Sequence, residues 1–164
     1  METRPTSSSG IGDDSLRSPR SADRQCKSDP GRHSETSEGV VHVVDADERD
    51  RVALVTSLTQ TGIAARGYSS AEELLSNWIE CGPSCVVTEV RLPGMSGLEL
   101  QRRLAQRSPH TTFVFLTGHS DVASAVAAIR EGAVDFLEKF LVGAVLARRI
   151  GTALRESVRR QAGR

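Results

Sequence analysis

The sequence is poor in cysteine, aromatic residues and long apolar runs, and it carries no surplus charge of either sign. Three cysteines among 164 residues are too few for a disulfide framework and odd in number, which fits a reducing compartment. Cys81 and Cys85 are separated by Gly82-Pro83-Ser84 with no matching His or Cys pair downstream, so they read as ordinary thiols and not as half of a zinc site. One Trp, one Tyr and four Phe within 38% hydrophobic residues fill one modest core, a single-domain quantity at this length. No apolar run approaches the roughly eighteen residues of a membrane span. The opening Met1-Glu2-Thr3-Arg4-Pro5 has no hydrophobic signal core, so a soluble, cytoplasmic protein with no membrane partner is expected. Twenty-one basic and 21 acidic residues cancel. That excludes a chain-wide basic footprint, and nucleic acid is not an expected partner.

What is present divides into two materials. Residues 1–38 hold nine Ser and thirteen charged residues, with too little apolar surface to offset the entropy of ordering. They are expected to be a disordered tail, either an unselected extension or a docking arm. Order is expected over 39–158, with 159–164 as a basic C-terminal tail.

Within the ordered part, apolar runs alternate with helical patterns. Val40-Val41-His42-Val43-Val44 reads as a buried parallel strand closed by the acids Asp45, Asp47 and Glu48. His42 inside it reads as a packed core residue. Val52, Leu54, Val55 and Leu58 recur at helical spacing until Gly62, and a short strand runs from Ile63 to Tyr68. Ser69-Ser70-Ala71-Glu72-Glu73 is a capping-box pattern ahead of Leu74, Leu75, Trp78 and Ile79 on one helical face, ended by Gly82-Pro83. Cys85 to Val90 form the third strand, which ends in Glu89 and breaks at Pro93-Gly94. A helix from Ser96 or Gly97 carries Leu98, Leu100 and Leu104 as far as Ser108-Pro109. Thr112–Thr117 is a fourth strand, a helix spans about Ser120 to Glu131, Val134–Lys139 is a fifth strand, and a last helix from about Val142 to the C-terminus carries Val145, Leu146, Ile150, Leu154 and Val158.

This alternation predicts an α/β fold, a doubly wound parallel sheet of five strands in the order 2-1-3-4-5. Right-handed crossovers put every strand's carboxyl end on one edge. That edge collects Asp45, Ala46 and Asp47 from the first strand, Glu89 from the third, Thr117 from the fourth and Lys139 from the fifth. Acids, a hydroxyl and an ammonium around one point suit a divalent metal and a phosphoryl group.

Several spaced motifs carry a family resemblance: Val43-Val44-Asp45, Thr88-Glu89-Val90-Arg91-Leu92-Pro93-Gly94-Met95-Ser96-Gly97, Leu116-Thr117-Gly118-His119-Ser120-Asp121, and Gly132-Ala133-Val134-Asp135-Phe136-Leu137-Glu138-Lys139. Over Val40 to Val158 the chain resembles the receiver domain of bacterial response regulators, in the branch of LuxR-type nitrogen-fixation regulators. The resemblance implies a (βα)5 flavodoxin-like module of two-component phosphorelay signalling. In that family an aspartate ending the third strand accepts a phosphoryl group from a histidine kinase, and two acids after the first strand hold magnesium. A Ser or Thr and a Lys bind the phosphoryl oxygens, and an aromatic residue switches. Asp45, Thr117, Phe136 and Lys139 match those positions.

Glu89 stands at the acceptor position, Ala46 at the second acid, and Phe140 where the family usually keeps proline. A glutamate sets its carboxylate one methylene farther out, and misplacement near 1 Å can cost about a hundredfold in a transfer step. Losing the acid at 46 removes a hard oxygen ligand, and Asp47, one residue along, points elsewhere. Magnesium through Asp45, Glu89 and the Arg91 backbone carbonyl is therefore expected to be weak if it binds, and no cofactor is expected. The implied protein is a stand-alone, atypical receiver, not an enzyme, with Glu89 as a phosphomimetic charge. It would meet a histidine kinase or a downstream effector through the face of the fourth helix, fifth strand and fifth helix, with a homodimer also allowed. Whether Glu89 imitates the phosphorylated state or forms a resting salt bridge with Lys139 stays open. Two rivals remain: a conventional phosphate-accepting receiver, and a small haloacid-dehalogenase-like phosphatase using Asp45 as nucleophile and Asp47 as acid/base. The basic final helix reads as the fifth helix with a solvated face, or as a docking helix for an acidic protein or a nucleic-acid backbone.

Overall fold

Five parallel strands form one sheet in the order β2-β1-β3-β4-β5, as the alternating pattern predicts. The computed structural model describes residues 39–80, 82–118, 122–139 and 143–163. The tail 1–38, Cys26, Cys81, the motif residues His119, Ser120 and Asp121, Phe140, the helix start at Val142 and Arg164 lie outside them. The elements are β1 (Val40–Val44), α1 (Glu48–Gln60), β2 (Ala64–Tyr68), α2 (Ala71–Ser76), β3 (Ser84–Thr88), α3 (Gly97–Arg107), β4 (Thr112–Thr117), α4 (Val122–Arg130), β5 (Asp135–Glu138) and α5 (Gly143–Ala162).

β3 sits at the centre, paired with β1 and β4. All five of its residues are buried, which is why it is written as a near-continuous apolar run. Alternation along the strands then builds two cores. Val41, Val43, Cys85, Val87, Val114 and Leu116 face α1 and α5, while Val44, Val86, Phe113 and Phe115 face α2, α3 and α4. A fully buried Leu or Phe such as Leu100 or Phe115 contributes about 2–3 kcal/mol.

The starts of α1, α2 and α3 are chemically marked. Asp47 caps α1, its carboxylate accepting from the Arg49 and Asp50 N–H groups at 2.9 and 3.1 Å. Ser70 and Ser96 cap α2 and α3 through the Glu73 and Glu99 N–H groups. The expected box at α2 closes one residue early, since Glu73 reaches back to the Ser69 N–H at 2.7 Å.

Two details differ from the sequence expectation. α2 stops at Ser76, because Asn77 turns its side-chain amide onto the Glu73 carbonyl at 2.8 Å. Trp78 and Ile79 therefore lie beyond it. On α5 the buried face is Leu146, Ile150, Ala153, Leu154 and Ser157, whereas Val145 is 39% exposed and Val158 is half-buried. The small residues turn inward because the helix lies close on the sheet, where the Thr112 hydroxyl donates to the Ala153 carbonyl at 2.8 Å. The same helix continues to Ala162, as expected of a last helix that runs toward the C-terminus.

Candidate functional site

Asp45 follows β1 directly and is almost wholly buried. One carboxylate oxygen accepts the Asp47 N–H at 2.9 Å, and the other lies 3.0 Å from the Lys139 ammonium. Glu89 follows β3 in the same way, and its carboxylate also contacts the Lys139 ammonium. A third acid completes the group: Asp50, in the first turn of α1, meets Lys139 Nζ at 2.8 Å. Lys139, one of only two lysines in the chain, stands just after β5 with its side chain 13% exposed. Acids from three segments thus converge on one ammonium carried by a fourth.

Burial pulls the Lys139 pKa down, but the hydrogen bonds to Asp50, Glu89 and Asp45 outweigh it and hold the group above the ordinary lysine value, the expected result of opposite charges in contact. The ammonium stays charged at any physiological pH.

Of the remaining predicted residues, Thr117 ends β4 on the same edge, its carbonyl accepting the Lys139 N–H at 2.7 Å. Ala46 is exposed and offers only a methyl group there. Arg91 lies exposed in the loop after β3. Phe136 is set back from the edge, opposite Phe115 in the β4–β5 register, with ring centroids 6.2 Å apart; Phe113 continues that row of rings. Asp47 is spent on the α1 cap and so does not replace the acid missing at 46. Asp50 was not singled out by the sequence pattern. Its only signal was indirect: a helix capped at Asp47 brings the residue three positions later back over the sheet edge.

The loop after β3 is held tightly. The Gly97 N–H donates to the Val90 carbonyl at 2.9 Å, and a β-carbon at Gly97 would collide with the Glu89 carbonyl oxygen and lie 3.1 Å from Phe115. Gly94 takes a φ of 78°, open to glycine. Beside it the Glu72 carboxylate accepts the Met95 N–H at 2.6 Å, tying α2 to the loop. That bond, first among the causes, holds the Glu72 carboxyl below its ordinary range.

The family model for the response regulator receiver domain matches residues 41–150. The chain belongs to the response regulator receiver family. It is 43% identical over 99 residues to the transcriptional regulatory protein FixJ of Azorhizobium caulinodans, covering 60% of this chain and 47% of FixJ. It is 40% identical over 110 residues to nodulation protein W of Bradyrhizobium diazoefficiens, covering 66% of this chain and 48% of that protein. Among solved structures, the crystal structure of FixJ-N superposes with a TM-score of 0.68 at 37% identity, covering 73% of this chain and 96% of that one. The chain spans about half the length of the curated relatives it matches.

Receivers imply a magnesium ion at this edge. The residues present do not fit one: the acids that would surround a cation surround the Lys139 ammonium instead, and Ala46 supplies no side-chain oxygen. Among the described residues no group of three or more His, Cys, Asp or Glu is arranged to hold a metal. Among them too, no helix is long and apolar enough to cross a membrane.

Proposed function

We propose that this receiver signals without phosphorylation, as a cytoplasmic module that works by protein contact and needs neither magnesium nor catalysis. The observation that carries the reading is the contact of Glu89 with the Lys139 ammonium. At the end of β3, where the family resemblance places the acceptor aspartate, a permanent carboxylate already occupies the lysine that would bind an incoming phosphoryl group. A nucleophile held in an ion pair, one methylene too long and without the acid at 46, is misaligned for transfer. Its charge is fixed, so the domain rests in one state.

The partner face is α4, β5 and α5, where Val126, Ile129 and Val145 are 44, 48 and 39% exposed. Such a surface suits a histidine kinase, an effector or a second copy of the chain. Incubation with a small phosphodonor and magnesium tests the reading, read by intact-protein mass. The wild type should gain no phosphoryl group, and the double variant Ala46→Asp, Glu89→Asp should gain one. Equal uptake by both would restore the conventional receiver. Magnesium-dependent hydrolysis of a generic phosphate ester, abolished by Asp45→Asn, would instead revive the phosphatase.

A further inference from the structure

The charges of the chain cancel as a whole but not locally. α5 carries Arg148, Arg149, Arg155, Arg159 and Arg160 against the single acid Glu156; five less one leaves a formal surplus of four positive charges on one helix. Arg149 is neutralised by Asp135 on β5 at 2.7 Å. Of the others, three border a cleft of about 460 Å³ between the turn after α4 and the C-terminal half of α5, lined by Val134, Thr152, Arg155, Glu156, Arg159 and Arg160.

These guanidiniums are oriented without being neutralised. Glu156 holds Arg159 at 3.2 Å and Arg160 at 3.4 Å, and Arg160 also donates to the Gly132 carbonyl at 3.2 Å. Arg155 rests on the Thr152 hydroxyl at 3.0 Å. One carboxylate thus serves two arginines while Arg155 rests on a neutral hydroxyl, and Arg159 remains 80% exposed. Arg148, Thr152, Arg155 and Arg159 recur at the spacing of one helical face, about 16 Å long at 1.5 Å per residue. The floor is apolar, because Val134 packs against the core.

We infer that this cleft is a docking site for an acidic segment of a partner protein, whose carboxylates take Arg155 and Arg159 while an apolar side chain seats on Val134. Planar guanidiniums match carboxylates two bonds at a time. The 16 Å stripe accommodates about five residues of extended chain. A nucleic-acid backbone fits less well: its continuous phosphates would face Glu156 and an apolar floor, on a chain whose remaining formal charge is negative. The cleft lies at the opposite end of α5 from Lys139 and does not depend on how the site there works.

Fluorescence anisotropy on the full chain tests this with a labelled peptide of alternating Glu and Leu. The peptide should bind, and Arg155→Glu with Arg159→Glu should weaken it about tenfold or more, since like charges then meet across the contact. The milder pair Arg155→Gln, Arg159→Gln keeps the test valid if the reversal disturbs folding, and it should weaken binding in the same direction. Arg107→Glu, at an exposed position on α3, should change nothing. A Glu/Ser peptide should bind more weakly than Glu/Leu, and Val134→Ala should erase that difference. The inference is overturned by absence of binding, by equal affinity of the glutamine pair and wild type, or by an equal loss in Arg107→Glu. Tighter binding of a DNA duplex that is lost in the same arginine variants would overturn it in favour of nucleic acid.

Discussion

Acid should unfold this protein partly through one imidazole. His42 lies inside β1, 7% exposed, with Nδ1 3.3 Å from the Tyr68 hydroxyl and its ring 4.9 Å from that of Trp78. Burial first, and the nearby Arg66 charge second, lower its pKa from 6.5 to about 4. Above pH 6.5 neither the folded nor the unfolded chain holds the proton, and the stability is complete. Between 6.5 and 4 the unfolded chain binds a proton that the folded chain refuses, so stability falls as pH falls. Below 4 both bind it and the loss is finished. Two and a half pH units at 1.36 kcal/mol each amount to about 3 kcal/mol, a large part of the 5–15 kcal/mol typical of a domain. Urea unfolding from pH 7.5 to 4.5 measures this, with His42→Leu as the non-titrating reference. Carboxylates contribute to both proteins alike, so the wild type should lose stability faster, by about 1.4 kcal/mol per pH unit near the middle of the window. Parallel curves for the two proteins would refute the reasoning.

Lys139→Met should cost about 3 kcal/mol in the same assay, because it leaves the buried Asp45 carboxylate facing two other acids without a cation; adding Asp45→Asn should recover part of that loss. Gly97→Ala should destabilise by about 2 kcal/mol, since the methyl group must displace the Glu89 carbonyl in a packed loop; thermal melting checks it. Burial pushes the Cys85 thiol up to about 12, so iodoacetamide should modify it only after denaturation, as peptide mapping that separates it from Cys26 and Cys81 will show.

The sheet was legible because β1, β3 and β4 are largely apolar runs ending at polar breaks, with helical patterns alternating between them and the shorter β2 and β5. Asp45, Glu89 and Lys139 could therefore be placed on one edge by topology alone. Asp50 was not legible in this way, because its role depends on the angle at which α1 leaves the edge, and the Asp47 cap sets that angle. The length of α2 was misread for a related reason. Trp78 matches the helical spacing of Leu74 and Leu75, yet the helix closes at Asn77 and Trp78 reaches His42 from outside it. On α5 the large apolar residues suggested a face rotated from the real one, since Ala153 and Ser157, small enough for close approach, carry little weight in a hydropathy pattern. The Ser157 hydroxyl accepts the Ser84 N–H at 3.0 Å, a contact between residues far apart in sequence that no local pattern encodes.

The four-segment origin of the ammonium cluster also bears on how the chain folds. Asp45, Asp50 and Glu89 are synthesised long before Lys139. An early structure built from β1, α1 and β3 would bring three acids together without the Lys139 ammonium that lies among them in the folded chain. That repulsion penalises premature closure of the edge and is relieved only when β5 docks beside β4. Parallel sheets already form slowly, because their pairings join residues far apart in the chain. Here the last strand to be made also carries the counter-charge, so the docking of β5 and the completion of the site are one event.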